Sequence, residues 1–416
     1  MYNVIVLLAL HLSPFFLLRN YSMILLGAII VFDKTILNKT KRLISNYTFW
    51  MLLTPFLIYS FSIFYSNDID NGIKEIEKKA SLLLFPIIFG LISIKRKDFF
   101  IILKFSVLLI SLLPIYGFIN QWNIYSDTGD TGWFYNDNLV SIFNKQAVYY
   151  ALYINTVIVI LIYLWHKRQI TTLLAKGVGV VVLSLLISAQ YLLASRTSML
   201  TTLIILSSYM SWLIIRKLNR NQGLILAGSS LLIIVALLFS FPKVINRYKS
   251  ITNVEYTYDN PNPINHFNGE IKKENWNGLN TRLAIWNCAW EEFLNAPVIG
   301  YGIGGVQNQL VRNYKEKNFI LGLNMNYNTH NQYLDILLTS GVIGLLLFVT
   351  FILFLAITAL KTRSLLLLGF LGIFVISSLT ENVFNRDQGV VFISLFTSLL
   401  IYKNKTLLVI PLHTRN

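Results

Sequence analysis

Apolar positions in this chain neither alternate nor keep to one helical face. They run in long blocks broken by short polar links. A helix needs roughly 17–25 apolar residues to cross the hydrocarbon of a bilayer. Blocks of this kind lie near 2–18, 21–32, 47–65, 80–94, 99–119, 147–165, 172–194, 198–215, 223–241, 333–360, 364–380 and 388–402. The fold class they predict is an all-α membrane protein with about 12 transmembrane helices. The second block is the shortest, and boundaries are softest over 19–46. Residues 242–332, between the ninth and tenth blocks, are too long for a plain connector, and such loops carry function or structure of their own. The expected division is therefore a membrane domain over 1–241, a large loop over 242–332, and a second membrane domain over 333–416. The start, 1–16, lacks a basic n-region and a clear cleavage site, so it is expected to be a retained span. No repeat relates the two halves, which weighs against a transporter.

Composition removes the soluble alternatives. Of 416 residues, 55% are apolar or aromatic and only 13% are charged. Soluble domains carry about 25% charge. The net charge of +16 would suggest nucleic acid in a soluble protein, but here it is topological. Basic residues collect in alternate short links: Lys34, Lys39, Lys41 and Arg42, then Lys95 to Lys97, Lys167 and Arg168, Arg216 to Arg220, Lys361 and Arg363, and the C-terminal lysines. The positive-inside rule turns that set to the cytoplasm, with both termini. Segments 120–146, 195–197, 242–332 and 381–387 then face outside. A single cysteine, Cys288, excludes an internal disulfide, and His11, His166, His266 and His413 are too scattered to form a metal site.

Candidate chemistry gathers on the outer side. Arg196 sits in Ser195-Arg196-Thr197, the whole link between two spans. It is either a snorkelling anchor or a functional group, and anchoring arginines favour the opposite side. In the loop, Arg282, Trp286, Trp290 and Phe293 share one face of a helix expected from Thr281 and ended by Asn295-Ala296-Pro297. Such an aromatic stripe would lie along the membrane interface, with Arg282 in the first turn ready to fork onto phosphate; equally, Arg282 could cap a row of anchors. Gly300-Tyr301-Gly302-Ile303-Gly304-Gly305 reads as a tight turn and not a phosphate loop, because no strand precedes it. Asn328 or Thr329 is a plausible N-cap, placing His330 in a first helical turn that keeps its ring neutral, fit for a general base. Without context a histidine at a helix start is more often structural. Asp335 is poorly spaced to orient it. Asp68 and Asp70 read as helix caps and not as a metal pair. Glu381 and Arg386 either complete a polar site or pair with each other.

These pieces, in this order, resemble the O-antigen ligase and O-antigen polymerase superfamily. The matching segments are Ala194-Ser195-Arg196-Thr197, then Arg282-x3-Trp286 with Pro297-x2-Gly300-x-Gly302. His330-Asn331-x-Tyr333-Leu334 with Gly341 and Gly344 comes next, and Glu381 with Arg386-x2-Gly389 comes last. The resemblance implies a membrane glycosyltransferase in lipopolysaccharide assembly, working at the outer face of a bacterial inner membrane. It would move a glycan from undecaprenyl diphosphate to a hydroxyl of lipid A–core, without cofactor or metal and with inversion. Arg196 and Arg282 would bind the diphosphate, His330 would deprotonate the acceptor, and Asn331, Glu381 and Arg386 would support them. Polymerases use the same donor with a second lipid-linked glycan, and other members glycosylate protein hydroxyls. A lipid-linked oligosaccharide flippase should instead bury charges within several spans, where only Lys104 and Lys176 stand out here.

Overall fold

The computed structural model describes residues 35–143, 146–217, 258 and 278–408, with backbone alone at 214–217 and 404–408. The expected spans at 2–18, 21–32 and 223–241, and almost all of 242–277, lie outside the described residues. What is described is helical, 81% of it, with no strands among the described residues. In chain order the helices are α1 (Ile36–Ile44), α2 (Tyr47–Ser62), α3 (Ile69–Lys78), α4 (Ser81–Leu91), α5 (Arg96–Thr128), α6 (Asp137–Val140), α7 (Ala147–His166) and α8 (Leu173–Leu192). Next come α9 (Arg196–Lys217), α10 (Gly278–Asn295), α11 (Val306–Glu316), α12 (Ile320–Met325), α13 (Gln332–Lys361), α14 (Leu365–Ser378) and α15 (Asp387–Leu408).

Among the described residues five stretches are long and apolar enough to cross a membrane: Tyr47–Tyr65, α5, α7, α8 and α13, with α14 a shorter apolar helix. Helix α7 lies at the centre, packed by α5, α9 and α14, whereas α8 is peripheral. Around them α2 packs on α13 and α4 on α15. Apolar side chains left outside, such as Leu108, Leu112, Leu346 and Leu353, leave faces that water would not favour and lipid would. The aromatic centre is a cluster of Phe348, Phe374 and Phe384 with edge-to-face contacts.

Two boundaries differ from those expected. Helix α5 does not stop near 119 but continues to Thr128, where Gly129 ends it at φ +69°. Its added turns are polar yet anchored: Gln121 Nε2 donates to Asn138 O at 2.6 Å and Ser141 Oγ at 3.1 Å. Helix α13 breaks at Ser340 and Gly341, the latter at φ +60°. The break leaves backbone groups without helical partners, and an outer loop supplies them. Tyr301 N and Gly302 N donate to Leu338 O and Thr339 O at 2.8 and 3.0 Å. Val342 N in turn donates to Pro297 O at 2.8 Å. Ser62 and Ser66, at the end of the α2 stretch, accept from Ile303 N and Gly304 N. The glycine run is thus a docked turn whose amides are already spent. Gly302, at φ +74°, admits no side chain, since a Cβ there would run into the backbone of Ser66.

This docking ties a second, smaller core to the membrane helices. Ile285, Cys288 and Ala289 of α10 pack with Leu310 and Tyr314 of α11, Phe319, and Leu337 and Leu338 of α13. The aromatic stripe of α10 is therefore divided. Phe293 is buried and Trp286 half-buried, while Trp290 remains exposed beside Leu294, Val298 and Ile299.

Candidate functional site

Four segments converge where this helical cap meets the membrane helices. Helix α10 brings Arg282, and the turn 327–331 brings His330. The link 379–386 brings Glu381, and the start of α9 abuts it. Glu381 is 8% exposed and takes both of the other side chains. One carboxylate oxygen receives Arg282 Nη2 at 2.5 Å, and the other lies 3.3 Å from His330 Nδ1. Burial alone would raise this carboxyl. The Arg282 guanidinium, with the His330 bond, outweighs burial and holds it below the ordinary glutamate range. Glu381 is therefore an anion at neutral pH. An anion beside Nδ1 favours the tautomer that donates from Nδ1 and leaves Nε2 as the acceptor.

Arg282 is fixed on three sides. Besides Glu381, its Nε donates to Thr380 O at 3.2 Å and its Nη1 to Gly278 O at 3.3 Å. A guanidinium has five N–H donors, so one on each terminal nitrogen is left over. Those two donors remain to meet an anion such as a phosphate. Helix α10 is already formed at Gly278, ahead of Thr281, so Arg282 lies beyond its first turn.

His330 is also placed differently from the expectation. The N-cap of α13 is Asn331, whose Oδ1 accepts from Tyr333 N at 2.9 Å and Leu334 N at 3.2 Å. Asn331 is occupied in capping. His330 precedes the cap at φ +43°, a left-handed conformation costing on the order of 1–3 kcal/mol in a non-glycine residue. Its neighbours hold it there. Asn328 Oδ1 accepts from His330 N at 2.9 Å, and Trp286 Nε1 donates to Thr329 O at 3.0 Å. Asn382 Oδ1 accepts from both Thr329 Oγ1 and Asn331 N at 2.7 Å, and Tyr327 packs edge-on against the imidazole. The orientation of the ring thus comes from Glu381 rather than from the helix dipole.

Asp335 contributes indirectly. It accepts from Asn382 Nδ2 at 3.1 Å and from Tyr59 OH at 3.1 Å, and so braces the residue that clamps the His330 turn. Asn382 and Tyr59 carry no sequence signal that marks them, and Thr329, a candidate cap in the sequence, instead bonds Asn382 Oδ1. Asn382 adjoins Glu381, but an asparagine in a polar link gives no signal of its own, and Tyr59 is separated from Asp335 by 276 positions. Arg196 heads α9 and is half-buried. Its neighbour Thr197 accepts from Thr380 Oγ1 at 2.9 Å, which sets the Arg196 turn against the stretch of chain holding Glu381. Arg386 does not pair with Glu381. It lines a separate polar cleft with Asn385 and Asp387. Asp68 is a cap, accepting from Asn71 N at 3.0 Å.

An all-helical chain with several membrane-length apolar helices and a polar site at the end of them is a multi-pass membrane protein. Residues 181–349 match the O-antigen ligase family, whose members are glycosyltransferase-like enzymes, as the motifs led one to expect. The matched region holds Arg196, Arg282 and His330, while Glu381 and Arg386 fall beyond it. No curated protein matches the chain.

Proposed function

We propose that the protein is an O-antigen ligase-type glycosyltransferase, transferring a glycan from undecaprenyl diphosphate to a hydroxyl of lipid A–core. The observation that carries this reading is Glu381 held between Arg282 and His330. In one step the acceptor oxygen attacks the anomeric carbon as the bond to the diphosphate breaks. His330 Nε2 takes the acceptor's proton, and Glu381 steadies the imidazolium that forms. The two free donors of Arg282, with Arg196 beside it, meet the charge growing on the leaving lipid diphosphate. A single displacement inverts the anomeric centre and asks for no metal. The charge pattern of the links supports about 12 spans, with this site on the periplasmic face of the inner membrane and both termini cytoplasmic.

Transfer reconstituted in nanodiscs tests the chemistry: His330→Ala should bind lipid-linked donor normally and transfer almost nothing. Donor binding and transfer falling together would make His330 a diphosphate ligand or a structural residue. Gene deletion tests the acceptor. Loss of a ligase leaves lipid A–core bare while polymer accumulates on the carrier. A core capped by a single repeat unit would identify a polymerase and keep the site.

A further inference from the structure

Behind the His330 turn lies a cleft of about 460 Å³, within the roughly 300–1,000 Å³ typical of small-molecule sites. Asn71, Gln307, Asn328 and Asn385 line it with carboxamides, and Lys79 and Arg386 add cations. Four separate parts of the chain therefore meet there: α3, α11, the His330 turn and the link before α15. Lys79 is 3% exposed, its ammonium 3.2 Å from Glu75 Oε2 and 4.8 Å from the centre of the Tyr59 ring. A cation buried to that depth is expensive unless the surroundings are fixed, so the floor of the cleft is rigid.

The amides are half used. Asn71 donates to Gly304 O at 3.1 Å, Gln307 to Asn326 Oδ1 at 2.7 Å, and Asn328 accepts from His330 N. The other atoms of these groups, and both amide atoms of Asn385, meet no hydrogen-bonding partner among the described residues. Arg386 is exposed and makes no ion pair among the described residues. Paired donors and acceptors at fixed spacing suit adjacent hydroxyls on a sugar ring, each of which both donates and accepts. A lipid tail would find little apolar wall here, and for a diphosphate the three cations Lys78, Lys79 and Arg386 are offset by the three carboxyl groups of Glu75, Asp335 and Asp387. Asn328 and Asp335 form one wall, and Asn328 Oδ1 holds His330 N at 2.9 Å, so an occupant lies against the turn that carries the base, while the imidazole itself does not line the cleft.

We infer that this cleft seats the acceptor saccharide against the back of the turn that carries His330, with Gln307, Asn328 and Asn385 reading its hydroxyls. The inference rests on the glycosyltransferase reading above. The acceptor sugar can be carried by lipid A–core or by a second lipid-linked repeat unit, and the chemistry of the cleft is the same for both.

The test uses full-length protein in nanodiscs with purified lipid-linked donor, offered lipid A–core in one arm and a lipid-linked single repeat in the other. In whichever arm gives product, the double variant Gln307→Ala, Asn385→Ala should raise the acceptor KM roughly tenfold, with donor KM and kcat unchanged. An unchanged acceptor KM, or an equal rise in donor KM, overturns the assignment. A photocrosslinking residue at Asn71, introduced in cells, should capture the saccharide of the same acceptor even when His330 is alanine. No glycan adduct there also overturns it. Survival of transfer in His330→Ala would defeat the underlying reading instead, leaving the adduct to judge the cleft alone.

Discussion

Two buried glutamates outside the apolar helices are used differently. Glu292, 1% exposed, belongs to the helical cap and finds its partners there. Tyr301 OH donates to its carboxylate at 2.9 Å, Asn313 Nδ2 at 3.1 Å and Arg312 Nη2 at 3.3 Å. The Arg312 side chain is 54% exposed, and burial together with Glu292 pushes the Tyr301 hydroxyl up to about 12. None of these partners changes charge near neutrality. Glu381 instead joins Arg282 and His330, drawn from two other segments, and one of those partners is an imidazole that can accept a proton in catalysis. The comparison separates a carboxylate that closes a fold from one that holds a base. Burial does not distinguish them; the identity of the partners does.

The sharpest way to break the comparison is at the base. His330→Ala should reduce transfer roughly 10²–10⁴-fold and remove the acidic limb of the pH–rate profile, with the amount of folded protein unchanged. Near-normal transfer would return His330 to a structural role.

Glu381→Gln comes next. Losing a hydrogen bond to a charged group costs about 1.5–3 kcal/mol, or roughly 10–150-fold in rate. For stability the sign is set by the depressed carboxyl of Glu381. The stabilisation it gives is complete above the ordinary glutamate range and is lost only as pH falls through the lowered folded value. Wild type and Glu381→Gln should therefore differ by a constant amount in thermal unfolding from pH 7 to 5, and converge only in stronger acid. Convergence already at pH 6 would contradict an ionised Glu381.

Arg282→Lys keeps the charge but loses the fork and its bonds to Thr380 and Gly278, and should cost roughly tenfold or more in transfer. Arg312→Lys is the matched change on the other glutamate and should cost nothing measurable in transfer, since a half-exposed partner contributes about 0–1 kcal/mol. Equal losses at the two arginines would erase the distinction between the glutamates. Smallest in transfer is Glu292→Gln. It should destabilise the cap by about 1–3 kcal/mol, read as a lowered unfolding temperature, with transfer per folded molecule intact.

Much of this arrangement was legible in the sequence. Blocks of apolar residues mark the described membrane helices because length and apolarity suffice to specify them, and Asp68 announces a cap because it stands directly before a charged helical segment. Arg282, His330 and Glu381 stand out as polar residues in outer links. Their assembly did not. Asn331 takes the cap because Asn328 is already bonded to His330 N, and a choice among Asn328, Thr329 and Asn331 cannot be made from residue type. The break in α13 shows in sequence only as Ser340-Gly341 within an apolar run. The bond from Tyr59 to Asp335 joins distant parts of the chain, and no local pattern encodes it.

The exchange of backbone hydrogen bonds between 297–302 and 338–342 has a consequence for engineering and for evolution alike. Because the helical cap is stitched to the peptide groups of a membrane helix, it is not an exchangeable cassette. A chimera that imports residues 278–325 from a relative must import the break at 340–341 with them, or the glycine turn will face an unbroken helix with no backbone groups to spare. Cap and break are one heritable unit, and recombination that divides them should yield protein that inserts in the membrane yet never builds a site.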